Sequence, residues 1–406
     1  MPHKIWVALE QNLSTSKSVA IIGGGACGLL CAIECAKASL EVTIFEKNTK
    51  AAKKILASGN GRCNISNTTL SSSDYFGEDS NFVSYALEEF GFKKFQNYVE
   101  NFGLFLDIKE DGKAYPLSNE AKSVTHLMVM YAQSLGVNFL YEQRVTKLQP
   151  LLDKFDAIVI ATGSQAASHL GGSEDGYTLA QEVGHTIVPT YPTLVQLELQ
   201  ESCVKKLAGI KLAGEVTLFI NNKKEQTISG DILFTNYGVS GLAILDISHL
   251  ASEALKDYQV VDISLNLLPK IAPQKLVSLL MQNNINSFTL IEVLAGFVPL
   301  KIAKTLLEEL QINPTTKLNT KLAKKIVNKL QNWKFEVTQT HGFRHAEASA
   351  GGVSTKEIDP KTMNSKKHPK LYFCGEVIDV VGRRGGFNFA WAWASGYSAA
   401  KAIVKQ

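Results

Sequence analysis

Hydrophobic residues near the N-terminus follow the pattern of a strand, a tight turn, a helix and a second strand. Residues 19–22 form a short, wholly apolar run of the kind found in buried parallel strands. Residues 23–28 have the spacing G-x-G-x-x-G and lead into a helix rich in alanine, leucine and cysteine. A second apolar run, residues 42–45, ends at Glu46. The pattern therefore predicts a dinucleotide-binding β-α-β unit, with a purely structural glycine turn as the alternative.

Each residue of this unit has a predicted mechanical role. Gly23 permits the sharp turn after the strand, Gly25 leaves room for a pyrophosphate, and Gly28 lets the helix pack closely on the sheet. The N-terminus of the helix presents unpaired N–H groups to phosphates. Glu46 follows Gly28 at about the separation, roughly 20 residues, at which a carboxylate accepts a ribose hydroxyl.

Two further segments have the small and polar residues that allow a nucleotide to approach the backbone. The loop 47–67 contains Arg62 among glycine, serine and asparagine residues, which favours close approach of an anionic or heteroaromatic group. The apolar strand at 155–160 runs into Ala161, Thr162 and Gly163, whose small size allows the backbone to lie against a ligand. The alternative for Arg62 is a solvated side chain on a surface loop.

The hydrophobic pattern changes twice along the chain and then returns. Short alternating strands without intervening helices are predicted from about residue 194, and helical segments from about residue 271. After residue 334 the chain returns to a strand, a glycine turn and an alanine-rich closing helix. The predicted fold class is α/β: a Rossmann-like dinucleotide-binding domain built from both chain ends (1–193 and 334–406, the latter returning through the β module), with a β-barrel-like insert (194–270) and a helical insert (271–333).

Composition narrows the class of protein. The 406 residues are 45% hydrophobic and 20% charged with a net charge of +4, so the balance alone does not indicate a nucleic-acid binder. Lysines 317, 321, 324, 325, 329 and 334 make the helical segment basic, as a solvated face or as a surface for RNA. The six cysteines form no C-x-x-C pair, which argues against a dithiol reductase and favours the cytoplasm.

Other classes of site are not predicted. The N-terminal residues lack a signal peptide, and the apolar stretch near residues 20–36 is too rich in glycine for a membrane span. His341 and His345 are four residues apart but have no second ligand cluster, so no metal site is expected. The three cysteines at 27, 31 and 35 share one helix face and are expected to pack there.

Several motifs together resemble one known family. They are IIGGGACGLL, SGNGRCNISN, ATG with a later DGY, TNYGVSGLAIL, AGGV and GEVIDVVGRRGGFNFAWAWASG. The combination resembles the BaiN/RdsA (YhiN-type, aminoacetone oxidase-like) family of NAD(P)/FAD-dependent oxidoreductases over nearly the whole chain from Ser18. The S-G-x-G-R-C-N loop and the C-terminal G-E-x-x-D and G-G-x-N motifs are more specific than the glycine turn.

The resemblance implies FAD as the bound cofactor, so the domain built from both chain ends is expected to be a Rossmann-like FAD-binding domain. The turn would hold its pyrophosphate and Glu46 its adenosine ribose, the backbone near Val145 would meet the adenine, and the C-terminal motifs would face the ribityl chain and the flavin ring. The motifs and the resemblance together place these residues at the cofactor: Gly23, Gly25, Ala26, Gly28, Glu46, Lys47, Arg62, Cys63, Asn64, Val145, Thr162, Gly163, Gly375, Glu376, Asp379, Gly386, Phe387 and Asn388.

The expected activity is hydride transfer between FAD and a small molecule, with NAD(P)H as a transient reductant because only one G-x-G-x-x-G is present. The substrate would be a carbon–carbon double bond conjugated to a carbonyl, or an amino ketone. The alternatives are an RNA-modifying enzyme that reduces uridine at C5=C6, and a flavin redox sensor without turnover. Tyr237, Arg384 and Cys63 are the catalytic candidates, each with a structural alternative: a core phenol, a solvated arginine and a packed thiol.

Overall fold

The computed structural model describes residues 16–282 and 288–406. The parts of the predicted domains that fall at 1–15 and 283–287 lie outside the described residues. The strands, in chain order, are β1 (Ser18–Ile22), β2 (Glu41–Glu46), β3 (Ser66–Asn67), β4 (Tyr75–Phe76), β5 (Leu106–Ile108), β6 (Lys113–Pro116), β7 (Asn138–Tyr141), β8 (Ala157–Ile160), β9 (Ile187–Thr193), β10 (Leu197–Leu199), β11 (Lys211–Ile220), β12 (Lys223–Phe234), β13 (Gly238–Ser240), β14 (Val261–Asn266), β15 (Trp333–Thr340), β16 (Ala348–Val353), β17 (Leu371–Phe373) and β18 (Val381–Gly382).

The α-helices vary from a single turn to nineteen residues. In chain order they are α1 (Ala26–Lys37), α2 (Lys53–Ala57), α3 (Ser84–Glu89), α4 (Phe92–Glu100), α5 (Ala121–Ser134), α6 (Gln149–Leu152), α7 (Asp175–Glu182), α8 (Val204–Leu207), α9 (Leu242–Lys256), α10 (Pro273–Gln282), α11 (Leu290–Ala295), α12 (Leu300–Glu309), α13 (Thr320–Gln331) and α14 (Phe387–Lys405). Within the described ranges, none combines the length and the apolar character needed to span a bilayer.

A parallel sheet carries the nucleotide-binding unit. Its strand order is β17-β8-β1-β2-β7, and each neighbouring pair is parallel. Every residue of β8 is buried, because helices cover both faces of such a sheet and leave no polar side to the strand. The predicted β-α-β unit is β1, α1 and β2, and its carboxyl edge lies beside that of β8.

The two ends of the chain form one module. Helix α14 packs along α1, and a Cβ added to Gly396 would stand 2.5 Å from the carbonyl oxygen of Cys27. This glycine allows the two helix backbones to approach, and Cys27, Cys31 and Cys35 are buried as small apolar side chains in the hydrophobic core that both helices share. The Rossmann-like architecture assembled from both chain ends is therefore confirmed.

The second module is a closed barrel with helices attached. Its strands are ordered β10-β13-β12-β11-β14-β15, and pairing of β10 with β15 closes the ring. Helices α10–α13 share one hydrophobic core with the barrel, where Leu276 and Leu330 are buried in the same cluster as Trp333. The barrel-like module is confirmed, whereas the domain boundaries at 194, 271 and 334 remain predictions.

Two local predictions were wrong. Residues 242–256 form the long helix α9 inside a segment expected to contain strands only, and its apolar residues repeat at helical spacing. The apolar positions at 145–148 predict a further short strand, but this stretch is irregular between β7 and α6. Among the described residues no strand pairs with it, so it makes no ladder of hydrogen bonds.

Candidate functional site

One cavity of about 670 Å³ runs along the carboxyl edge of the parallel sheet and reaches the barrel module. At one end it is lined by the turn after β1, and further along by the loop 58–64. The first turns of α14 line it next, and the segment 344–347 closes it on the barrel side. A cleft at this edge of an open α/β sheet, extended to a second module, is the usual place for a nucleotide and its reaction partner.

The glycine turn has the geometry that a phosphate group requires. Gly23 has φ of 108°, and a Cβ there would stand 2.5 Å from the carbonyl oxygen of Ala161. A Cβ on Gly25 would meet no atom within 4 Å, because that position opens into the cavity. No side chain caps the N-terminus of α1 and its first turn carries no acidic residue. The turn therefore offers free space and N–H groups to an anion, and it fits a dinucleotide pyrophosphate.

Glu46 holds the shape of this turn. Its Oε2 accepts the N–H of Gly24 at 3.0 Å, and its Oε1 accepts the N–H of Asn48 at 2.8 Å. The neighbouring Lys47 donates to Ser173 at 2.5 Å and pairs with Asp175 at 3.1 Å. Both residues line the cavity, so their polar atoms stand where the ribose of a bound dinucleotide is expected.

Two further polar side chains of the cavity wall, Glu376 and Asn388, are held by protein partners. Lys54 pairs with Glu376 at 2.6 Å, and the second oxygen of Glu376 accepts the N–H of Ser349 at 3.0 Å. Asn388 makes two hydrogen bonds of 2.8 Å to the backbone of Gly382, which fix the loop before α14. Protein partners therefore orient the side chains of both Asn388 and Glu376, and both residues line the cavity.

The loop 58–64 and α14 meet at the cavity wall. With its amide nitrogen facing the carbonyls of Ala114 and Ser66, Asn64 accepts the N–H of Gly386 at 3.3 Å. Gly386 has φ of 95° and caps α14. Arg62 lies over the ring of Tyr115 at 5.6 Å. This packing brings together two motifs that are more than 300 positions apart in the chain.

The predicted cofactor residues divide into two groups. Those that line the cavity are Gly23, Gly25, Ala26, Glu46, Lys47, Arg62, Asn64, Val145, Thr162, Gly163, Glu376, Gly386 and Asn388. Those that stand behind its wall are Gly28, Cys63, Gly375, Asp379 and Phe387. The second group supports the first through packing and backbone contacts.

Asp379 illustrates such support. It is 3% exposed, and its two oxygens accept the N–H groups of Glu78 at 2.9 Å and Gly351 at 3.0 Å. Burial raises the pKa of its carboxyl, and these N–H groups oppose that shift. The side chain therefore ties its own loop to the loop at Glu78 and to strand β16 behind the cavity.

The structure separates the three catalytic candidates. Tyr237 lies outside the cavity and stacks on His341 with ring centroids 3.9 Å apart. Cys63 is fully buried, and burial raises the pKa of its thiol to about 11, although Ser58 lowers it.

Arg384 lines the cavity and makes a bidentate pair with Asp246 of α9 at 2.9 and 2.8 Å. Burial opposes the charge of this guanidinium, but Asp246 raises its pKa.

Sequence patterns gave no indication of Glu347. It lies between β15 and β16, and its carboxyl is open to the cavity. Protein atoms around it raise the pKa of this carboxyl, whereas Arg384 and Lys54 act in the opposite direction. Arg384 and Asp246 come close to Glu347 only in the folded chain, so no motif could have identified the residue.

Cationic side chains outnumber acidic ones around the cavity. The cations are Lys47, Lys53, Lys54, Arg62, Lys113, Arg144, Arg344 and Arg384, and the acids are Glu46, Asp175, Glu347 and Glu376. The excess of positive charge complements a ligand with phosphate groups. Among the described residues, no group of three or more His, Cys, Asp or Glu side chains is arranged to hold a metal ion.

The parallel sheet, the open glycine turn and the cationic cleft define a Rossmann-type dinucleotide-binding oxidoreductase. The family model described as "HI0933-like protein Rossmann domain" matches residues 17–402. The chain belongs to this family, and the resemblance inferred from its motifs is confirmed.

Three curated relatives match almost end to end. The 3-dehydro-bile acid delta(4,6)-reductase of Clostridium scindens is 32% identical over 96% of this chain and 99% of its own length. The ribosomal RNA dihydrouridine synthases of Haemophilus influenzae and Escherichia coli are each 29% identical over 95% of this chain and 98% and 97% of their own. Among solved structures, a 3-ketosteroid delta1-dehydrogenase from Sterolibacterium denitrificans covers 96% of this chain and 100% of its own, with 10% identity and a TM-score of 0.48. That similarity is too distant to bear on function.

Proposed function

We propose that the protein is an FAD-dependent reductase of small molecules that contain a carbon–carbon double bond conjugated to a carbonyl, with NAD(P)H as the source of electrons. The observation that carries the proposal is the cavity that joins the glycine turn of β1 to the junction of the two modules. Such a cavity can hold a dinucleotide along the sheet and leave a second compound between α14 and the barrel.

The residues that line the cavity fit FAD. Gly23, Gly25 and Ala26 would receive the pyrophosphate, and Glu46 lies near the place of the adenosine ribose. Val145 would adjoin the adenine. When bound, FAD supplies the hydride chemistry that protein side chains lack. Protein groups supply binding, orientation and charge.

The N-terminus of α14 is the second element of the proposed mechanism. Gly385, Gly386 and Asn388 line the cavity where this helix begins, and its first turn contains no acidic side chain. A helix N-terminus stabilises negative charge beside it, here on a reduced ring system. Asn64 and Asn388 hold the turn in place through backbone contacts.

The relatives favour reduction of a double bond. Both of their names describe the addition of hydrogen across a carbon–carbon bond, in a bile acid and in uridine of ribosomal RNA. Oxidation of an amino ketone is the other small-molecule reaction to be tested.

Anaerobic titration of the purified, FAD-loaded protein with NADH and with NADPH tests the reductase proposal. We expect loss of the visible flavin absorbance with at least one of them, and its return on addition of a conjugated enone such as cyclohex-2-enone. Failure of both nucleotides to bleach the flavin would contradict NAD(P)H as the reductant. Aminoacetone added to the oxidised protein tests the amino ketone reaction in the same cuvette.

RNA is the second candidate substrate, because two relatives are ribosomal RNA dihydrouridine synthases. Helix α13 supports this candidate with the exposed Lys321 and Lys324, which have no ion pair with the described acidic residues. The adjacent Lys329 instead packs over Trp333 and lies 3.9 Å from Glu309. Neither lysine lines the cavity, and β15 connects α13 to the segment 344–347 at the cavity wall. Only a large substrate would contact both α13 and the cavity.

Substitution of Lys321 and Lys324 by glutamine separates the two substrates. For an RNA substrate, affinity should fall about tenfold or more and the salt dependence should become shallower, because two phosphate contacts are lost. Turnover of cyclohex-2-enone should not change. Equal RNA affinity of variant and wild type, measured at several salt concentrations, would argue against docking through α13.

The alternative of a flavin redox sensor can be tested with the same FAD-loaded protein. A flavin redox sensor without turnover would release no product over repeated cycles, so steady multiple turnovers with an acceptor other than oxygen would exclude it. A cytoplasmic location remains a prediction from the sequence.

A further inference from the structure

The cavity is lined by four carboxyl groups, three of which are held by the protein. Glu46 accepts backbone N–H groups of Gly24 and Asn48. Asp175 is bound by Arg144 at 2.6 Å and by Lys47 at 3.1 Å, and these cations lower its pKa although burial raises it. Both carboxyl groups are therefore already engaged by partners within the protein.

Glu376 is the third carboxyl held in this way. Its Oε2 accepts from Lys54 at 2.6 Å and its Oε1 accepts the N–H of Ser349 at 3.0 Å. Both of its oxygens are therefore occupied by partners within the protein.

Glu347 differs from all three. Among the described residues its carboxyl has no hydrogen bond and no ion pair, and only its backbone is fixed, by an N–H donated to Leu194 at 3.2 Å. The neighbouring cations are already engaged, since Arg384 pairs with Asp246 and Lys54 with Glu376. A free carboxyl thus points into the cavity between the two modules.

The charges that face Glu347 come from three elements. Arg384 precedes α14, Lys54 belongs to α2, and Asp246 belongs to α9. The Glu347 side chain is exposed where it borders the open cavity. Partial desolvation by the surrounding protein is still the largest influence on the pKa of its carboxyl and raises it, the two cations lower it, and Asp246 raises it again. The protonated form is therefore favoured relative to an ordinary surface glutamate.

We propose that Glu347 is the proton donor of the reductase, a role that rests on the function proposed above. Reduction of the double bond adds a hydride, drawn through the cofactor from NAD(P)H, to the carbon distant from the carbonyl. Glu347 gives its proton to the carbon beside the carbonyl, and the O–H bond breaks as the new C–H bond forms. The resulting carboxylate regains a proton from water, which reaches it through the open cavity.

The substitution Glu347→Gln keeps the size of the side chain and removes its acidic proton. Each half of the reaction is followed separately on the FAD-loaded protein. We expect reduction by NADPH or NADH at the wild-type rate, and reoxidation by cyclohex-2-enone slowed by about 10²–10⁴-fold, the usual contribution of a general acid. Reoxidation by ferricyanide, which forms no C–H bond, should proceed as in the wild type.

The pH profile gives a second readout. In the wild type the enone step should slow as pH rises through the raised pKa of Glu347, because the donor loses its proton. In Glu347→Gln this dependence should disappear. Glu225→Gln, which removes an exposed carboxyl on β12 far from the cavity lining, serves as the matched control and should behave as the wild type.

A third readout does not depend on activity. The infrared band of a protonated carboxyl should titrate above the ordinary glutamate pKa in the wild type and in Glu225→Gln, and this component should be missing in Glu347→Gln. An unchanged carboxyl band, or an unchanged enone rate, would overturn the assignment. Slowing of the ferricyanide step by the same factor would also overturn it, since that pattern indicates a disturbed cofactor site.

The proposed function and the proton donor can fail separately. If neither nucleotide reduces the wild-type flavin, dithionite replaces them and the enone step is measured as before. Loss of that step in Glu347→Gln then supports the donor even though NAD(P)H is not the reductant. A wild-type enone step that equals that of the variant rejects the donor regardless of the reductant.

Discussion

At the scale of single residues, two glycines of one turn differ in what a side chain would meet. A Cβ at Gly23 would run into the carbonyl of Ala161, and the backbone there has a positive φ. A Cβ at Gly25 would enter open space in the cavity, and φ of −78° suits any residue. Gly23 thus serves the fold, whereas Gly25 serves the ligand.

This difference predicts opposite effects of two substitutions. Gly25→Val should leave the melting temperature of the apoprotein within about 2 °C of the wild type, yet strongly reduce the amount of bound FAD, because the new side chain occupies the phosphate space. Gly23→Ala should destabilise the fold by at least about 1–2 kcal/mol, the cost of the left-handed backbone. Thermal unfolding and the flavin content per chain measure both. Equal flavin content in Gly25→Val and wild type would contradict the assigned position of the pyrophosphate.

At the scale of elements, α9 is the contact between the barrel and the sheet module. Its His249 stacks on Phe76 of β4 at 4.4 Å and lies 5.7 Å from Tyr191 of β9. Burial lowers the pKa of this histidine to about 4. The imidazole is therefore neutral in the folded protein at pH values where an unfolded chain already binds a proton.

The free energy of unfolding should consequently depend on pH through His249. Its contribution is complete above pH 6.5, the ordinary histidine value, and is lost progressively as pH falls towards 4, because the unfolded chain gains the proton first. The loss amounts to at most about 3 kcal/mol. Urea unfolding of wild type and His249→Phe between pH 4 and 7 measures the difference. Parallel pH curves for the two proteins would show that His249 is not the responsible group.

Helices and strands could be predicted from the sequence where the residue pattern that indicates them lies within one short stretch. The strand, turn and helix at residues 18–37 follow from apolar runs and glycine spacing within one short stretch, and the alanine-rich α14 follows from its composition. Helix α9 was missed although its buried residues repeat every three to four positions, because the surrounding β pattern outweighed it. Closure of the barrel by β10 and β15 depends on partners about 140 positions apart and has no local signal.

At the scale of the whole molecule, the ion pair Arg384–Asp246 joins the modules beside Glu347. Asp246 both compensates Arg384 and raises the pKa of Glu347 through its negative charge. Removal of that charge by Asp246→Asn leaves Arg384 free to stabilise the Glu347 carboxylate. Both changes lower the pKa of Glu347.

In the wild type, the rate of flavin reoxidation by cyclohex-2-enone is expected to fall as pH rises, and we call this fall the pH limb. The variant Asp246→Asn should move the pH limb to lower pH and so slow the enone step at neutral pH. The double variant Asp246→Asn/Glu347→Gln should show no pH limb. Stopped-flow reoxidation over a pH series records the shift. A limb that moves to higher pH would mean that Asp246 does not act on Glu347 through its charge.

The sequence by itself determined the nucleotide-binding unit, the return of the chain to it and the family, because these depend on residue types at short fixed spacings. It also supplied most of the residues that line the cavity near the glycine turn. Tertiary structure decided which carboxyls are held and which is free, since Lys54 and Glu376 are 322 positions apart and Arg384 and Asp246 are 138 apart. It likewise decided that Cys63 and Asp379 stand behind the wall and that Glu347 faces the cavity. The burial of a side chain and the charge around it depend on residues that are distant in the sequence, and only folding brings those residues together.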